Sequence, residues 1–168
     1  MLAKLIVEGK EFDIEIRDPK LQELIAPKKK TGYERLEQGK TFLYQHCDGN
    51  IAIGYDHHNG NCNNYFNSAN YYSDKTVAEN NARADTLMRQ LRRFSVEHRT
   101  KVLDWNDDTQ DKYGIYYVYE DRKFVVDMYK YTRNFGNVHF DSHEAAELAI
   151  ETFYDELIWY FTEYRDSL

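Results

Sequence analysis

The hydrophobic positions in the middle of the chain first alternate, as in strands, and then recur every three or four residues, as in a helix. Residues 41–47 and 50–55 are strand-like and are joined by an Asp-Gly pair that favours a tight hairpin turn. The Asn- and Gly-rich residues 56–70 predict a loop. A capping box formed by Thr76 and Glu79 then predicts the start of a helix. The buried face expected for this helix carries Ala84, Leu87, Met88, Leu91 and Ser95.

The same order of patterns recurs towards the C-terminus. Residues 114–120 and 123–131 are strand-like and flank a second turn, and residues 132–137 are expected to form a loop. Asp141 and Glu144 then form a second capping box at the start of a long helix. The buried face expected for this helix carries Ala145, Ala149, Phe153, Leu157 and Phe161.

The two helix starts are related by a constant shift of 68 positions. The segment "YYSDKTVAEN" corresponds to the later "HFDSHEAAEL", which places Tyr72 on Phe140 and Ala78 on Ala146. A two-stranded hairpin is only marginally stable alone, and an amphipathic helix needs a surface to cover. The sequence therefore predicts an α+β fold, in which two ββα repeat units pack antiparallel sheets on two long helices.

A shorter hairpin and a short helix are predicted before these units. Alternating apolar residues flank a turn at residues 8–10, and Asp18 and Pro19 supply an N-cap and a first helical residue. The polar residues 27–40 are expected to form a linker or an exposed loop. The predicted organisation is an N-terminal segment at residues 1–38, a first ββα unit at residues 39–100, and a connector with the second unit at residues 101–168.

Composition and charge narrow the class of protein. With 168 residues, 15% of them aromatic, the chain can bury a core and does not have the composition of a disordered protein. The formal net charge of −7 predicts solubility and disfavours non-specific binding to polyanions. No apolar run reaches the ~18–20 residues that span a bilayer, and the N-terminus lacks the pattern of a signal peptide. Two cysteines do not make a disulfide framework, so we expect a protein of the reducing cytoplasm.

Several segments carry a resemblance to a known group of proteins. The segments are "GKEFDIEI", "PKKKTGYER", "DWNDDTQDKY", "HFDSHEAAELAIE" and "ELIWYFTEY". With them the chain resembles a family of small accessory proteins encoded by phages and prophages of Firmicutes. In that family a strand is followed by the motif Gly-Asn-aromatic-Phe-x-[Ser/Thr]-x-Glu-x-Ala-Glu-x-Ala and then by a long helix. Residues 136–149 match that motif, whereas the first copy departs from it at Ala69 and Thr76. The resemblance implies no activity and no site residue. It implies an accessory phage gene, a class that often encodes inhibitors of host machinery or host defence.

The two predicted long helices differ in charge. Residues 83–101 contain six basic residues and two acidic ones, whereas residues 140–168 contain eight acidic residues and one arginine. At ~100° per residue, the acids of the last helix fall on one side, opposite the apolar stripe. We call this set the acidic face, and its residues are Glu144, Glu147, Glu151 and Asp155.

Two interpretations of the acidic face stay open on the sequence alone. In the first, it is a solvated helix surface whose charges are neutralised by arginines of the other helix. In the second, it contacts a basic groove on a foreign protein and takes the place of nucleic acid there. Duplex DNA carries one charge per ~1.7 Å. Four acids over ~16 Å of helix give one per ~4 Å. The face therefore suits a local decoy better than a close copy of a duplex.

A different class of function is suggested by the basic helix. Aromatic platforms combined with arginines bind single-stranded nucleic acid. Arg89, Arg92 and Arg93, together with outward-facing tyrosines of the second hairpin, are the candidate residues. This alternative is a module that binds single-stranded nucleic acid or nucleotides.

Catalytic and metal-binding constellations are weakly indicated. Cys47, His57, His58 and Cys62 could supply four zinc ligands, but their spacing fits no known finger pattern. The acidic residues 104–111 lack the Gly and Glu positions of an EF-hand loop, so Asx turns are expected there. A cysteine nucleophile beside a histidine is supported by proximity in sequence alone. We therefore predict no catalytic residue, no metal and no cofactor.

The favoured hypothesis combines these points. It is a non-catalytic, phage-encoded binding protein in the host cytoplasm that inhibits a host nucleic-acid-handling or defence protein, with CRISPR effectors among the candidates. The partner would carry a basic nucleic-acid-binding groove, and the acidic face would be the contact.

Overall fold

The computed structural model describes residues 2–25 and 30–164 and confirms the α+β class. The chain divides into two compact units, Met1–Thr31 and Gly32–Leu168. Both predicted ββα units lie in the second of these, so the chain has one large compact unit and one small one.

The N-terminal unit consists of a hairpin and a short helix, as predicted. β1 (Leu2–Val7) pairs with β2 (Lys10–Glu15) in antiparallel register, and α1 spans Pro19–Ile25. Glu8 and Gly9 both have positive φ, of 49° and 78°, which is the conformation of a two-residue turn matched to strand twist. The Asp18 carboxylate accepts a hydrogen bond from the Lys20 N–H at 2.8 Å, which confirms its place at the start of α1.

The first ββα unit contains one helix that the sequence did not predict. β3 (Thr41–Gln45) pairs with β4 (Ile51–Tyr55), and α3 spans Lys75–Glu97. Between β4 and α3, where residues 56–70 were expected to form a loop, α2 spans Gly60–Asn67. Asn is a poor helix former, and α2 exists because Asn59 caps it and Cys62 packs into a cluster with Phe42 and Tyr71.

The second ββα unit contains a three-stranded sheet. β5 (Lys112–Val118) lies between β6 (Lys123–Tyr129) and the two-residue β7 (His139–Phe140), all antiparallel. Two helices follow, α4 (His143–Thr152) and α5 (Tyr154–Thr162). β7 was not predicted, because two residues carry no periodicity.

The prediction of one long second helix is wrong at Phe153, where α4 ends and α5 begins. Phe153 has φ −114° and ψ 22°, outside the helical region. The sequence of α4 and α5 contains no Pro or Gly that would explain the bend. The Thr152 hydroxyl donates to the Leu148 carbonyl at 2.7 Å, a bond that bends helices. The Phe153 ring packs edge-on against Phe94 of α3 at 5.5 Å, so the bend accompanies a core contact.

Both helix caps lie at other residues than the capping boxes proposed. Asp74 caps α3 by accepting from the Val77 N–H at 3.0 Å, and Ser142 caps α4 by accepting from the Ala145 N–H at 3.1 Å. Thr76 is already inside α3. Asp141 is buried and accepts instead from the N–H groups of residues 100 and 101, at 2.6 and 3.0 Å. The two caps are themselves 68 positions apart.

The internal repeat extends beyond the hairpin and helix. Phe140 of β7 pairs with Tyr113 of β5, and the equivalent Tyr72 forms an isolated antiparallel bridge with Leu43 of β3. In each unit an aromatic residue shortly before the helix therefore pairs with the first strand of its own hairpin. Phe140 and Tyr72 are both buried, which explains why an aromatic residue occurs in both copies.

The main core lies between α3, α4, α5 and the sheet of β5 and β6. It is built from buried apolar side chains of the helices, and strand residues cover it from the sheet side. Its buried members are Leu87, Leu91, Phe94, Phe140, Ala145, Ala146, Ala149 and Leu157.

Residues 32–38 belong to the large unit, which moves the boundary from the predicted residue 38 to residue 31. The Gly32 carbonyl accepts from the Ser73 N–H at 2.7 Å, and the Leu36 N–H donates to the Tyr71 hydroxyl at 3.1 Å. The segment is therefore held against the first ββα unit, although its polar sequence resembles a linker. Residues 27–29 of the predicted linker lie outside the described residues.

Gly32 is required by both backbone conformation and packing. Its φ is +91°, and a Cβ built on it would lie 2.6 Å from Cγ2 of Val77. We expect Gly32→Ala to lower the free energy of unfolding by about 2–5 kcal/mol, since left-handed strain costs about 1–2 kcal/mol and overpacking about 1–3 kcal/mol. Gly39→Ala is the matched control, because Gly39 has φ +86° with no atom within 4 Å of a built Cβ.

Urea unfolding of both variants measures the difference. The control carries the backbone strain alone, about 1–2 kcal/mol. Equal destabilisation of the two variants would show that the packing of residue 32 on Val77 contributes nothing.

A buried ion pair connects residues 32–38 to the rest of the unit. Asp56 is 0% exposed, and its carboxylate oxygens accept from Nε and Nη2 of Arg35 at 2.6 and 2.9 Å. The Tyr71 hydroxyl donates to Asp56 at 2.9 Å, and the His58 N–H does so at 2.8 Å. Burial alone would raise the pKa of Asp56, but these hydrogen bonds outweigh it and hold the pKa well below its usual range.

Candidate functional site

The acidic face lies on the solvent side of α4 and α5. Ala149 and Leu157 point into the core, and all four residues of the acidic face are exposed. Glu144, Glu147 and Glu151 lie on α4, whereas Asp155 lies on α5, so the face crosses the bend at Phe153.

The basic helix does not neutralise these carboxylates. The ion pair between α3 and α5 joins Arg83 to Glu156, at 2.7 and 3.0 Å, with the guanidinium 4.0 Å from the centroid of the Trp159 ring. Glu147 lies 3.4 Å from Nδ1 of His143 on its own helix. In the described part of the chain, no cation lies within ion-pair distance of the other three residues of the acidic face.

Two large hydrophobic side chains are exposed among the carboxylates. Leu148 of α4 is 43% exposed and Tyr154 of α5 is 51% exposed. Leu148 follows Glu144 by four positions, which places both on the same side of α4. Tyr154 lies beyond the bend at Phe153, and its ring contacts Phe124 of β6 edge-on, with the ring centroids 5.7 Å apart. Sequence analysis missed both, although the spacing from Glu144 was the available signal for Leu148. Apolar anchors with a charged rim are typical of protein interfaces.

The three candidate arginines of α3 do not form one surface. Arg89 and Arg93 line a shallow depression beside Cys47 and Asp48, and Arg93 lies 3.7 Å from Glu97. Arg92 lines a different cleft, with Trp105 and Arg133. A continuous basic track along α3 is therefore absent from the residues that the structure describes.

Alternation in β5 and β6 places one set of tyrosines on each face of the sheet. Tyr117 faces the helices and stacks on Phe161 at 5.8 Å. Tyr116 and Tyr129 lie on the other face, 5.9 Å apart, and both are half-buried. The Asn134 side-chain amide donates to the Tyr116 hydroxyl at 2.8 Å, so the outer set is partly covered.

The cysteine and histidine residues of the first unit have separate environments. Cys62 is buried and donates to the Tyr55 carbonyl at 3.4 Å, whereas Cys47 is exposed beside His46. Among the described residues, no group of three or more His, Cys, Asp or Glu side chains is placed to hold a metal ion.

The acidic residues 104–111, in the connector between the two ββα units, form Asx turns, as predicted. The Asp104 carboxylate accepts from the Asn106 N–H at 2.9 Å, and the Asp107 carboxylate accepts from the Thr109 N–H at 2.9 Å. The hydrogen bonds from Thr109 lower the pKa of Asp107.

Comparison with known proteins gives no assignment. None of the helices within residues 2–25 and 30–164 is both long and apolar enough to cross a bilayer. The chain matches no protein-family model, no curated protein and no solved structure.

Proposed function

We propose that this chain is a phage-encoded, non-catalytic binding protein that inhibits a host nucleic-acid-handling or defence protein, with CRISPR effectors among the candidates. The acidic face occupies a basic groove on that protein, in the host cytoplasm. The observation that carries the proposal is the exposed acidic face, with Leu148 inside it and the half-exposed Tyr154 at its edge.

Charge complementarity defines the partner. Glu144, Glu151 and Asp155 have no cation within ion-pair distance in the described part of the chain. Such carboxylates attract a basic surface and speed its encounter. Leu148 and Tyr154 supply apolar contact area, which the nucleic-acid backbone that this chain would replace does not have. The partner is therefore a protein whose groove is basic and partly apolar.

The double variant Glu144→Lys/Glu151→Lys tests the proposal. We expect its affinity for the partner to fall by at least about tenfold, since close charge pairs across interfaces contribute strongly to binding. Its thermal midpoint is expected to stay near that of the wild type, because both side chains are exposed. The measurement is affinity capture from host lysate, followed by titration of the captured protein.

Glu37→Lys/Glu120→Lys is the matched control, since both residues are exposed and the change in net charge is the same. A nucleic-acid-handling protein captured by the wild type and the control, but lost by the acidic-face variant, supports the proposal. Equal capture by all three chains would remove the acidic face as the contact.

A further inference from the structure

A second surface of the large unit carries the opposite charge. A cleft of about 360 Å³ lies between α3, the connector and the segment from β6 to β7. We call it the arginine cleft, and the lining residues that matter here are Arg92, Ser95, Trp105, Arg133, Asn137 and His139. Its volume falls within the range of ~300–1,000 Å³ that is typical of small-molecule sites.

The arginine cleft contains two cations that form no ion pair with a carboxylate of the described residues. Arg92 and Arg133 are both exposed, and neither has a carboxylate within ion-pair distance in the described part of the chain. The Arg133 guanidinium lies 5.5 Å from the centroid of the Trp105 ring, close enough for a cation–π contact that positions it. In a chain with net charge −7, two unpaired arginines at one cleft indicate an anionic ligand.

His139 is the second, independent observation. His139 is 7% exposed, and its Nε2 atom is buried without a hydrogen-bond partner among the described residues. The backbone is fixed, because the Ser95 hydroxyl donates to the His139 carbonyl at 2.6 Å. The rings of Trp105 and Tyr129 contact the His139 ring edge-on, with their centroids 4.8 and 5.6 Å from the centroid of the His139 ring. A buried polar atom left unpaired costs free energy, which a ligand in the cleft would recover.

The charge state of His139 is set by its surroundings. Burial lowers the pKa of His139, and the charge of Arg133 lowers it further. The neutral ring can accept or donate one hydrogen bond at Nε2, according to its tautomer.

We propose that the arginine cleft binds a small phosphomonoester. Arg92 and Arg133 hold the phosphate dianion, and Nε2 of His139 bonds a polar group of the same ligand. Guanidinium forks match phosphate oxygens in geometry and charge. The cleft is larger than the free ion needs, which indicates an ester of the size of a sugar phosphate or a mononucleotide. This site is independent of the acidic face and uses none of its residues.

Isothermal titration of the full chain at low salt tests the proposal with three probes: inorganic phosphate, ribose 5-phosphate and adenosine 5′-monophosphate. We expect at least one ester to bind more tightly than inorganic phosphate. Arg92→Ala and Arg133→Ala are each expected to weaken that ester by about tenfold or more. Equal or weaker binding of both esters relative to the free ion would overturn the proposal.

Arg89→Ala is the matched control, since it removes the same charge from the same helix outside the cleft. It is expected to leave ester affinity unchanged, and a loss equal to that of Arg92→Ala would overturn the proposal. His139→Phe should lose affinity while keeping its circular dichroism spectrum, since Phe fills the aromatic site without Nε2. Salt-sensitive binding of a single-stranded oligonucleotide, weakened equally by Arg89→Ala and Arg92→Ala, would also overturn it.

Discussion

Asp56→Ala is expected to lower the free energy of unfolding by about 3–5 kcal/mol, because it leaves the partly buried Arg35 guanidinium and the Tyr71 hydroxyl without their buried acceptor. Glu156→Ala provides the comparison, since Glu156 pairs with Arg83 through the same two-point geometry but at the surface. Exposed pairs contribute at most about 1 kcal/mol. Urea unfolding measures both, and a loss for Asp56→Ala no larger than for Glu156→Ala would contradict this account.

The same carboxylate predicts a dependence of stability on pH. The folded-state pKa of Asp56 lies below its unfolded value, so its ionisation stabilises the fold at neutral pH. That contribution is lost as the pH falls below about 4, where the unfolded chain takes up the proton first. The stability difference between the wild type and Asp56→Asn should therefore shrink from pH 7 to pH 3. A constant difference would show that hydrogen bonding alone, and not ionisation, is lost in the variant.

Phe140→Ala is expected to cost about 3–5 kcal/mol, the range for truncating a buried aromatic residue. Phe140 is 1% exposed, packs in the main core and holds β7 against Tyr113. Phe135→Ala is the matched control in the preceding loop, because the Phe135 side chain is fully exposed. The control should change stability by no more than about 0.5 kcal/mol.

Thermal or urea unfolding decides this second prediction. If the two phenylalanine variants lose equal stability, the placement of β7 beside β5, with Phe140 in the main core, is wrong. If Phe140→Ala alone is destabilised, the repeated aromatic residue before each helix is a core anchor. Its counterpart Tyr72 is expected to behave in the same way, since it is also buried.

Periodicity was sufficient to predict the elements with long patterns. The three hairpins and α3 follow from alternation, from three- and four-residue spacing and from turn residues. It failed where tertiary contacts decide local structure. α2 has an Asn-rich sequence and depends on the burial of Cys62, and the bend at Phe153 has no Pro or Gly to mark it.

The candidate surfaces show the same division. The exposure of Glu144, Glu147, Glu151 and Asp155 follows from the apolar stripe opposite them, because a helix fixes both faces at once. The arginine cleft could not be predicted, since it joins α3, the connector and the segment before β7. Arg35 and Asp56 are likewise 21 positions apart, with no pattern that pairs them.

The contact between the acidic face and a basic groove is tested most directly by competition for the partner. Once a nucleic-acid-handling partner is captured, its binding to labelled nucleic acid is titrated with the wild type and with Glu144→Lys/Glu151→Lys. The wild type should displace the nucleic acid completely, and the variant should need at least about tenfold more protein. Displacement by the variant at the wild-type concentration, or a ternary complex of chain, partner and nucleic acid, would contradict the account.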